Sequence, residues 1–404
     1  MRCRGVRGAL ALGSAALVAL GSSACGGAPS VPGTSPEDLT IEAQVQIDRN
    51  GAVVEGVDGP EPARPAGDGN AVCPPLSIAM AGDLGGPDAA MGTGVMNGVQ
   101  LAVDQHNEAN PACQVQLKPF DTEGDPARGA EVAAQIVDDA YTVGVVGPAT
   151  SGETLAAGGV FDRAGLVAVT PSATSPALSE QGWRTFFRGV ADDEVQGPAV
   201  ADYMTGTLGH RKVCVVDDSS DYGLGLASTV RETLGAMADS ACNIAIRPDD
   251  TNFSGIVPQI TSAAPDSVFF AGYYPQAAAL VAQLRDAGFE GAFVGADGVK
   301  TVAFVDEAGS AANGAVLSCP CSPAPPDFVD EYRRAFDEPP PSYSVEAYDL
   351  GTILLKGIDS GAITRPALLQ FVRDYDGQGI ARRYRWTATG ELTDALIWIY
   401  RVVE

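Results

Sequence analysis

From Leu76 onward the chain repeats one pattern about every 30 to 40 residues: a short apolar run, a Gly-rich turn, then a segment with helical hydrophobic period. Strand–helix alternation of this kind restricts the fold sharply. Parallel strands need long crossovers, helices supply them, and the sheet ends up covered on both faces. The runs Leu76–Ala81, Val115–Phe120, Val143–Val146 and Leu166–Val169 predict the strands of one block. Val213–Val216, Ile244–Arg247, Ser267–Ala271 and Ala292–Val294 predict those of a second. Helical segments lie between them at Gly98–Glu108, Ala127–Asp139, Thr154–Ala164, Pro198–Leu208, Leu224–Ala238, Phe253–Ala264, Gln276–Ala287 and Thr301–Glu307. The blocks part near Arg188–Gln196, which predicts an α/β chain with two doubly wound parallel-sheet lobes rather than one closed barrel. Two late helices, Asp327–Phe336 and Ser344–Ser360, and a last strand, Ala395–Val402, are shared between the lobes.

Charge narrows the function. The 404 residues carry 25 Lys and Arg against 51 Asp and Glu, a formal net charge of −26, with no basic cluster to meet phosphates. Nucleic acid and anionic membrane surfaces are therefore poor partners. The two histidines, His106 and His210, have no Cys or second His at ligand spacing, so neither a metal nor a cofactor is expected. Gly92-x-Gly94-x-x-x-Gly98 has the wrong spacing for a dinucleotide fingerprint.

The first 24 residues read as a signal peptide: Arg2, Arg4 and Arg7 precede an apolar stretch from Gly8 to Leu20, then small residues before Cys25. That stretch is too short for a bilayer span, which needs about 20 apolar residues. The segment resembles a bacterial lipoprotein signal, which makes Cys25 the lipidated first residue of the mature chain. Ser22 stands where that signal usually has Leu, so ordinary secretory cleavage nearby is the alternative. The expected location is outside the cytoplasm, on the outer face of the cell membrane through a lipid anchor, or secreted. Residues 25–72 then supply a Pro/Gly-rich linker and, over Thr40–Val57, a β-hairpin signal with Asn50-Gly51 as a type I′ turn.

Export changes the reading of the cysteines, since an even number outside the cytosol suggests disulfides. Cys73 and Cys113 each directly precede a predicted strand, so they can bridge the starts of parallel neighbours. Cys214 and Cys242 stand in a similar relation; free buried thiols are the alternative for both pairs. Cys319 and Cys321 flank Pro320 and stay unassigned.

In open α/β sheets ligands sit beyond the carboxyl ends of the strands. The loop Gly147-Pro-Ala-Thr-Ser-Gly-Glu153 contains Thr150-x-x-Glu153, a capping-box spacing, and in Thr170-Pro-Ser-Ala-Thr-Ser-Pro176 Ser175 can cap a helix that starts at Pro176. Hydroxyls and free N–H groups at helix starts suit a carboxylate, although ordinary capping is the commoner explanation of such residues. Asp217-Asp-Ser-Ser-Asp-Tyr-Gly223, Gly272-Tyr-Tyr-Pro275 and Gly295-Ala-Asp-Gly298 follow three second-block strands.

In this order, with Gln196-Gly-Pro between the blocks, the loops resemble the type I periplasmic (solute-)binding proteins, in the branched-chain amino-acid and amide group that serves ABC transporters. The resemblance runs from about Leu76 to the C-terminus. It implies the type I periplasmic-binding-protein fold, two lobes joined by three hinge crossovers near Gly189–Asp193, Ser318–Pro323 and Arg382–Arg385. On that basis lobe 1 comprises residues 73–190 plus 323–382, and lobe 2 residues 191–322 plus 383–404. The resemblance further implies that Ser151 takes the ligand carboxylate with nearby N–H groups, that Ser172 and Ala173 contribute backbone groups, and that Thr174 reaches both carboxylate and amine. Asp297 matches the acidic residue that pairs the α-ammonium, Tyr222 and Tyr273 match aromatic walls, and Met91 matches a side-chain pocket position. The group's usual first-lobe disulfide is missing, its positions falling near Glu123 and Thr150.

The expected function is capture of a small aliphatic amino acid by a monomer that hands it to an ABC transporter permease. The same fold with a short amide or urea, or a sensing module that signals to a partner, are the alternatives. An enzyme is not expected, because the hydroxyls of Ser151 and Thr174 have no identifiable histidine base.

Overall fold

A computed structural model describes residues 39–55 and 60–404. The signal segment, Cys25 and the first linker lie outside the described residues. In chain order the N-terminal strands are β1 (Thr40–Ile47) and β2 (Val53–Val54). Then come β3 (Leu76–Gly82), α1 (Ala89–Ala109), β4 (Val115–Asp121), α2 (Pro126–Asp138), β5 (Thr142–Val146), α3 (Ser151–Ala164), β6 (Val167–Thr170) and β7 (Phe186–Arg188). The second block has α4 (Asp193–Asp202), β8 (Val213–Asp217), α5 (Asp221–Leu234), β9 (Ile244–Ala245), α6 (Val257–Ala263), β10 (Ser267–Ala271), α7 (Tyr274–Asp286), β11 (Ala292–Gly295), α8 (Val302–Ala308) and β12 (Val316–Cys319). The chain closes with α9 (Pro326–Phe336), α10 (Ser344–Asp359), α11 (Arg365–Arg373), β13 (Asp376–Gln378), β14 (Arg383–Arg385) and β15 (Ile397–Val403).

The first sheet is fully parallel in the order β4-β3-β5-β6-β7. Every residue of β3 and β5 is buried, as expected of strands covered on both faces. Ala79, Val145 and Ala168 pack on Val132, Ile136 and Phe161 of α2 and α3. The opposite face packs on α1 and α10, and α10 is buried along nearly its whole length. Gly92 and Gly98 explain the glycine pattern of α1: a Cβ would strike the Asp83 carbonyl at Gly92 and the Ser344 carbonyl at Gly98. These glycines permit close approach of backbones.

The second sheet runs β2-β1-β15-β12-β11-β10-β8-β9. Its strands β12 to β9 are parallel, and β15 closes on β12 antiparallel. β1 adds to β15 antiparallel, from Thr40 opposite Val403 to Ile47 opposite Ile397. The two lobes are thus the observed architecture, and the chain passes between them after β7, after β12 and between β14 and β15.

Several details depart from the sequence expectations. The hairpin turn is not type I′, because only Gly51 of the central pair has positive φ. Asp48 Oδ1 instead accepts the N–H groups of Asn50 (2.9 Å) and Ala52 (3.0 Å), which lengthens the loop. Ser175 makes no capping hydrogen bond, and Pro176–Gln181 is a 3₁₀ helix. The helix expected over Pro198–Leu208 starts five residues earlier at Asp193, where Asp192 caps it, and ends in a π turn over Tyr203–Thr207. Strands β7, β13 and β14 and helix α11 had no clear signal, being three to nine residues long.

Disulfides join Cys73 to Cys113, beside the starts of β3 and β4, and Cys214 to Cys242, between β8 and the approach to β9. A third joins Cys319 to Cys321 around Pro320 at the second crossover. Residues 60–75 lie on the first lobe, where the Asn110 side chain holds the Ala66 carbonyl (3.1 Å) and the Ala71 N–H (3.0 Å). The N-terminal segment therefore engages both lobes, one through β1 and the other through this stretch.

Candidate functional site

The site lies where strand ends of both sheets face each other. After β5, the capping box of α3 forms as its spacing predicts: Thr150 Oγ1 accepts from the Glu153 N–H, and Glu153 accepts from the Thr150 N–H. Glu153 is fully buried and is also bonded by the Thr122 hydroxyl. Ser151, the first residue of α3, is 2% exposed, and its Oγ accepts from the Ser175 N–H at 3.1 Å. Its own proton is thereby left to donate.

After β6, Thr170 Oγ1 donates to the Pro148 carbonyl and accepts from the Ala173 N–H, and Ser172 Oγ donates to the Ala149 carbonyl at 2.6 Å. The two first-lobe loops are thus knitted together. The Ala173 and Ser175 carbonyls accept from Arg188, which is fully buried and forks onto Glu391 at 2.7 and 2.9 Å. Ala173 has both backbone groups engaged in this way. Thr174, between the two carbonyls that Arg188 grips, keeps an Oγ1 without a partner in hydrogen-bond geometry.

From the second lobe, Asp297 opens a short 3₁₀ turn after β11. Its Oδ1 accepts from Tyr222 Oη (2.6 Å) and Gln196 Nε2 (2.9 Å), and its Oδ2 accepts from Tyr343 Oη (2.6 Å). Burial raises its pKa while these three donors oppose the shift. The Tyr222 and Tyr273 rings tilt against each other with centroids 5.4 Å apart. Tyr343 reaches Asp297 from the start of α10 and holds a left-handed backbone (φ 71°), a conformation a bulky residue adopts at a cost of order 1–3 kcal/mol.

Two openings flank this constellation. A cavity of about 400 Å³ is walled by Tyr222, Tyr273, Thr150, Asp88 and Asp218. A smaller one of about 40 Å³ is bordered by Asp297, Met91, Tyr273, Lys300 and Tyr343. Met91, Tyr273 and Asp297 are therefore brought together, and Tyr222 and Tyr273 share the larger space. Ser151, Ser172, Ala173 and Thr174 line neither opening, and all four are buried. The lobes also touch where Tyr274 Oη donates to the Pro87 carbonyl at 3.2 Å.

The surroundings are acidic. Burial, then Asp83, Glu153 and Asp218, push the Asp88 carboxyl up to about 7. Burial pushes Lys300 down to about 8; its Nζ sits 3.1 Å from Ser342 Oγ and 4.3 Å from the Tyr400 ring centre. Sequence reasoning missed Tyr343, Arg188, Glu391 and Asp193. Tyr343 and Glu391 lie far along the chain from the loops they serve, and no local pattern could have found them. Gln196, in the Gln196-Gly-Pro motif between the blocks, carries no local signal of its bond to Asp297.

His106 makes a 2.8 Å contact with Asp359, and Cys113 beside it is held in its disulfide, so this cluster ties α1 to α10. No helix among the described residues is long and apolar enough to cross a membrane.

Residues 75–404 match the periplasmic binding protein family. A Leu/Ile/Val-binding protein, BraC3, of Rhizobium johnstonii is 30% identical over 339 residues, covering 81% of this chain and 91% of that protein. A leucine-, isoleucine-, valine-, threonine- and alanine-binding protein of Pseudomonas aeruginosa is 28% identical, covering 72% and 80%. Among solved structures, the branched-chain amino-acid transporter substrate-binding protein LivJ of Streptococcus pneumoniae, in complex with isoleucine, superposes with a TM-score of 0.76 at 26% identity. That match covers 82% of this chain and 99% of the LivJ chain.

Proposed function

We propose, from the premise that this chain belongs to the periplasmic binding protein family and is a binding protein rather than an enzyme, that it captures a small aliphatic α-amino acid between its lobes. One observation supports the reading: a buried carboxylate, Asp297, is held by Tyr222, Tyr343 and Gln196, and Tyr222 joins Tyr273 in walling a cavity that Thr150 of the first lobe also lines. Neutral donors suit the anionic end of a zwitterion and a carboxylate suits its cationic end. In this reading Ser151 and the backbone of Ser172 and Ala173 address the α-carboxylate, and Thr174 reaches both carboxylate and amine. Asp297 pairs the α-ammonium, Tyr222 and Tyr273 enclose both, and Met91 borders the side-chain pocket with an adaptable apolar surface. Ala173 then has to exchange a present hydrogen bond for one to the ligand. The relatives named for leucine, isoleucine and valine binding support the aliphatic side chain.

The two lobes, residues 73–190 with 323–382 and 191–322 with 383–404, close on the ligand by hinge motion. The monomer is tethered outside the cytoplasm through a lipid on Cys25 and delivers its ligand to an ABC permease. A thermal-shift panel of α-amino acids, amides and urea tests the ligand class. At about a thousandfold over Kd a ligand adds about 4 kcal/mol, several degrees for a chain of this size. Stabilisation by leucine, isoleucine or valine is the expected result; stabilisation by amides or urea alone overturns the zwitterion reading. Silence across the panel points to the sensing alternative or to a ligand carried through purification, which mass spectrometry of the denatured protein distinguishes.

A further inference from the structure

Beside Asp297 stands a second acid that the ligand scheme above does not use. Asp193 opens α4, directly after the first crossover, and is 0% exposed. Its N–H is fixed on the Thr174 carbonyl at 3.0 Å, yet neither carboxylate oxygen meets a donor in hydrogen-bond geometry. Thr174 Oγ1 and Gln196 Oε1, 1% and 0% exposed at the residue level, are likewise unpartnered. Gln196 Nε2 points the other way, onto Asp297 and Ser318 Oγ.

Buried polar atoms are nearly always paired, and a buried lone carboxylate is among the costliest exceptions. The cation facing Asp193 is Arg188, which directs its N–H groups at Glu391 and the Ala173 and Ser175 carbonyls. The unpartnered atoms are two carboxylate oxygens, an amide oxygen and a hydroxyl: a buried, acceptor-rich set beside the first crossover. Its complement is a donor-only group with three N–H bonds and one positive charge, a primary ammonium. Urea and amides bring N–H donors but no charge.

We infer that Asp193, with Thr174 and Gln196, takes the ligand's α-ammonium jointly with Asp297, and that the empty site holds one proton on this carboxylate pair, which the ammonium displaces on binding. This deepens the amino-acid reading and rests on it. The proton balance is simple. The ligand keeps all three ammonium hydrogens, and the carboxylic acid gives its proton to solvent buffer. The groups around the pair favour a shared proton. Burial, then the charges of Asp297 and Asp192, raise Asp193, while the Thr174 hydroxyl, close to its carboxylate but outside hydrogen-bond geometry, and Arg188 oppose. Asp192 is itself pushed up to about 6 by burial and then by Glu391. Asp297 faces Tyr222, Tyr343 and Gln196, all donors, and its small cavity is shared by Asp88 and Lys300.

Titration calorimetry of the full chain with leucine, in buffers of differing ionisation enthalpy near pH 7, reads the protons released. About one proton per leucine is expected, with affinity falling up to about tenfold per pH unit as the pair takes its proton. Asp193→Asn, nearly isosteric, should weaken leucine at least tenfold and abolish the proton release. Leucine binding with no proton release overturns the inference and leaves the amino-acid reading intact, and the wild-type chain alone suffices to see it. Proton release that persists in Asp193→Asn also overturns it, by placing the proton elsewhere. Failure of leucine and all other α-amino acids to bind a folded chain overturns both readings.

Discussion

On the first lobe loops 147–153 and 170–176 carry hydroxyls and helix-end N–H groups; on the second, the strand ends carry Asp297, Tyr222 and Tyr273, and the start of α4, directly after the first crossover, adds Asp193. The first lobe does hold acids at this end, but Asp83 is occupied by the N–H groups of Gly85, Gly86 and Asp88, Glu153 by Thr122 and Thr150, and Asp88, which borders both openings, is pushed up to about 7 by burial. In the proposed binding mode a ligand with an anionic and a cationic end would satisfy both surfaces at once, whereas a neutral one would satisfy neither fully. On the proposed reading the contrast gives closure a chemical condition: both charges would have to be present for both lobes to gain.

The sharpest way to break this comparison is to remove the second lobe's charge. Asp297→Ala should weaken amino-acid binding by about 2–5 kcal/mol, since it strips a buried ammonium of a partner. Unchanged affinity by calorimetry would dissolve the proposed division of labour. Next come the disulfides, which the lobes carry in comparable places, away from the cleft. Replacing Cys73 and Cys113 by Ala opens a loop with sequence separation 40, for which chain entropy predicts a loss of about 4 kcal/mol. Denaturant unfolding should show that loss while ligand affinity stays the same; a matching fall in affinity would tie the bridge to the site after all.

Removing the first lobe's hydroxyl is milder. Ser151→Ala should cost about 1.5–3 kcal/mol of binding, the range for a hydrogen bond to a charged group. An effect equal to that of Asp297→Ala would mean that the lobes do not divide the charges as proposed.

The smallest effect concerns pH. Asp88 and Asp349 are pushed up to about 7, and Asp192 to about 6, each chiefly by burial. A raised acid holds in the folded state a proton that the unfolded chain has already released. Its contribution is therefore complete below the unfolded value of 3.8 and is lost as pH rises through 6 to 7. Surface acids such as Asp139, held down to about 2 by its hydrogen bond with Lys118, act only in more acidic solution. His210, pushed down by burial, opposes the trend weakly. Scanning calorimetry of the ligand-free chain should give a melting point a few degrees higher at pH 5.5 than at 7.5. A flat or reversed profile would mean these carboxyls are more open to water than their burial indicates.

Local periodicity made the strands and most helices legible, because a strand covered on both faces must be apolar throughout, as Leu76–Gly82 is. The Thr150–Glu153 capping box was equally readable, since both partners sit within one turn. The hairpin turn was misread for the opposite reason: Asp48, outside the Asn50-Gly51 pair, takes the two N–H groups.

Sequence by itself determined the two-block α/β plan, the candidate bridges Cys73–Cys113 and Cys214–Cys242, and the loops that carry Ser151, Thr174 and Asp297. Each depends on residues close in sequence or on strand neighbours that the repeat makes predictable. Only the tertiary structure decided that Tyr343 would hold Asp297, that Arg188 and Glu391 would brace the Thr174 loop, and that Asp193 would stand unpaired beside them. Those relations join positions up to 203 residues apart. Electrostatics and hydrogen bonding act through space, and only the folded chain sets those distances.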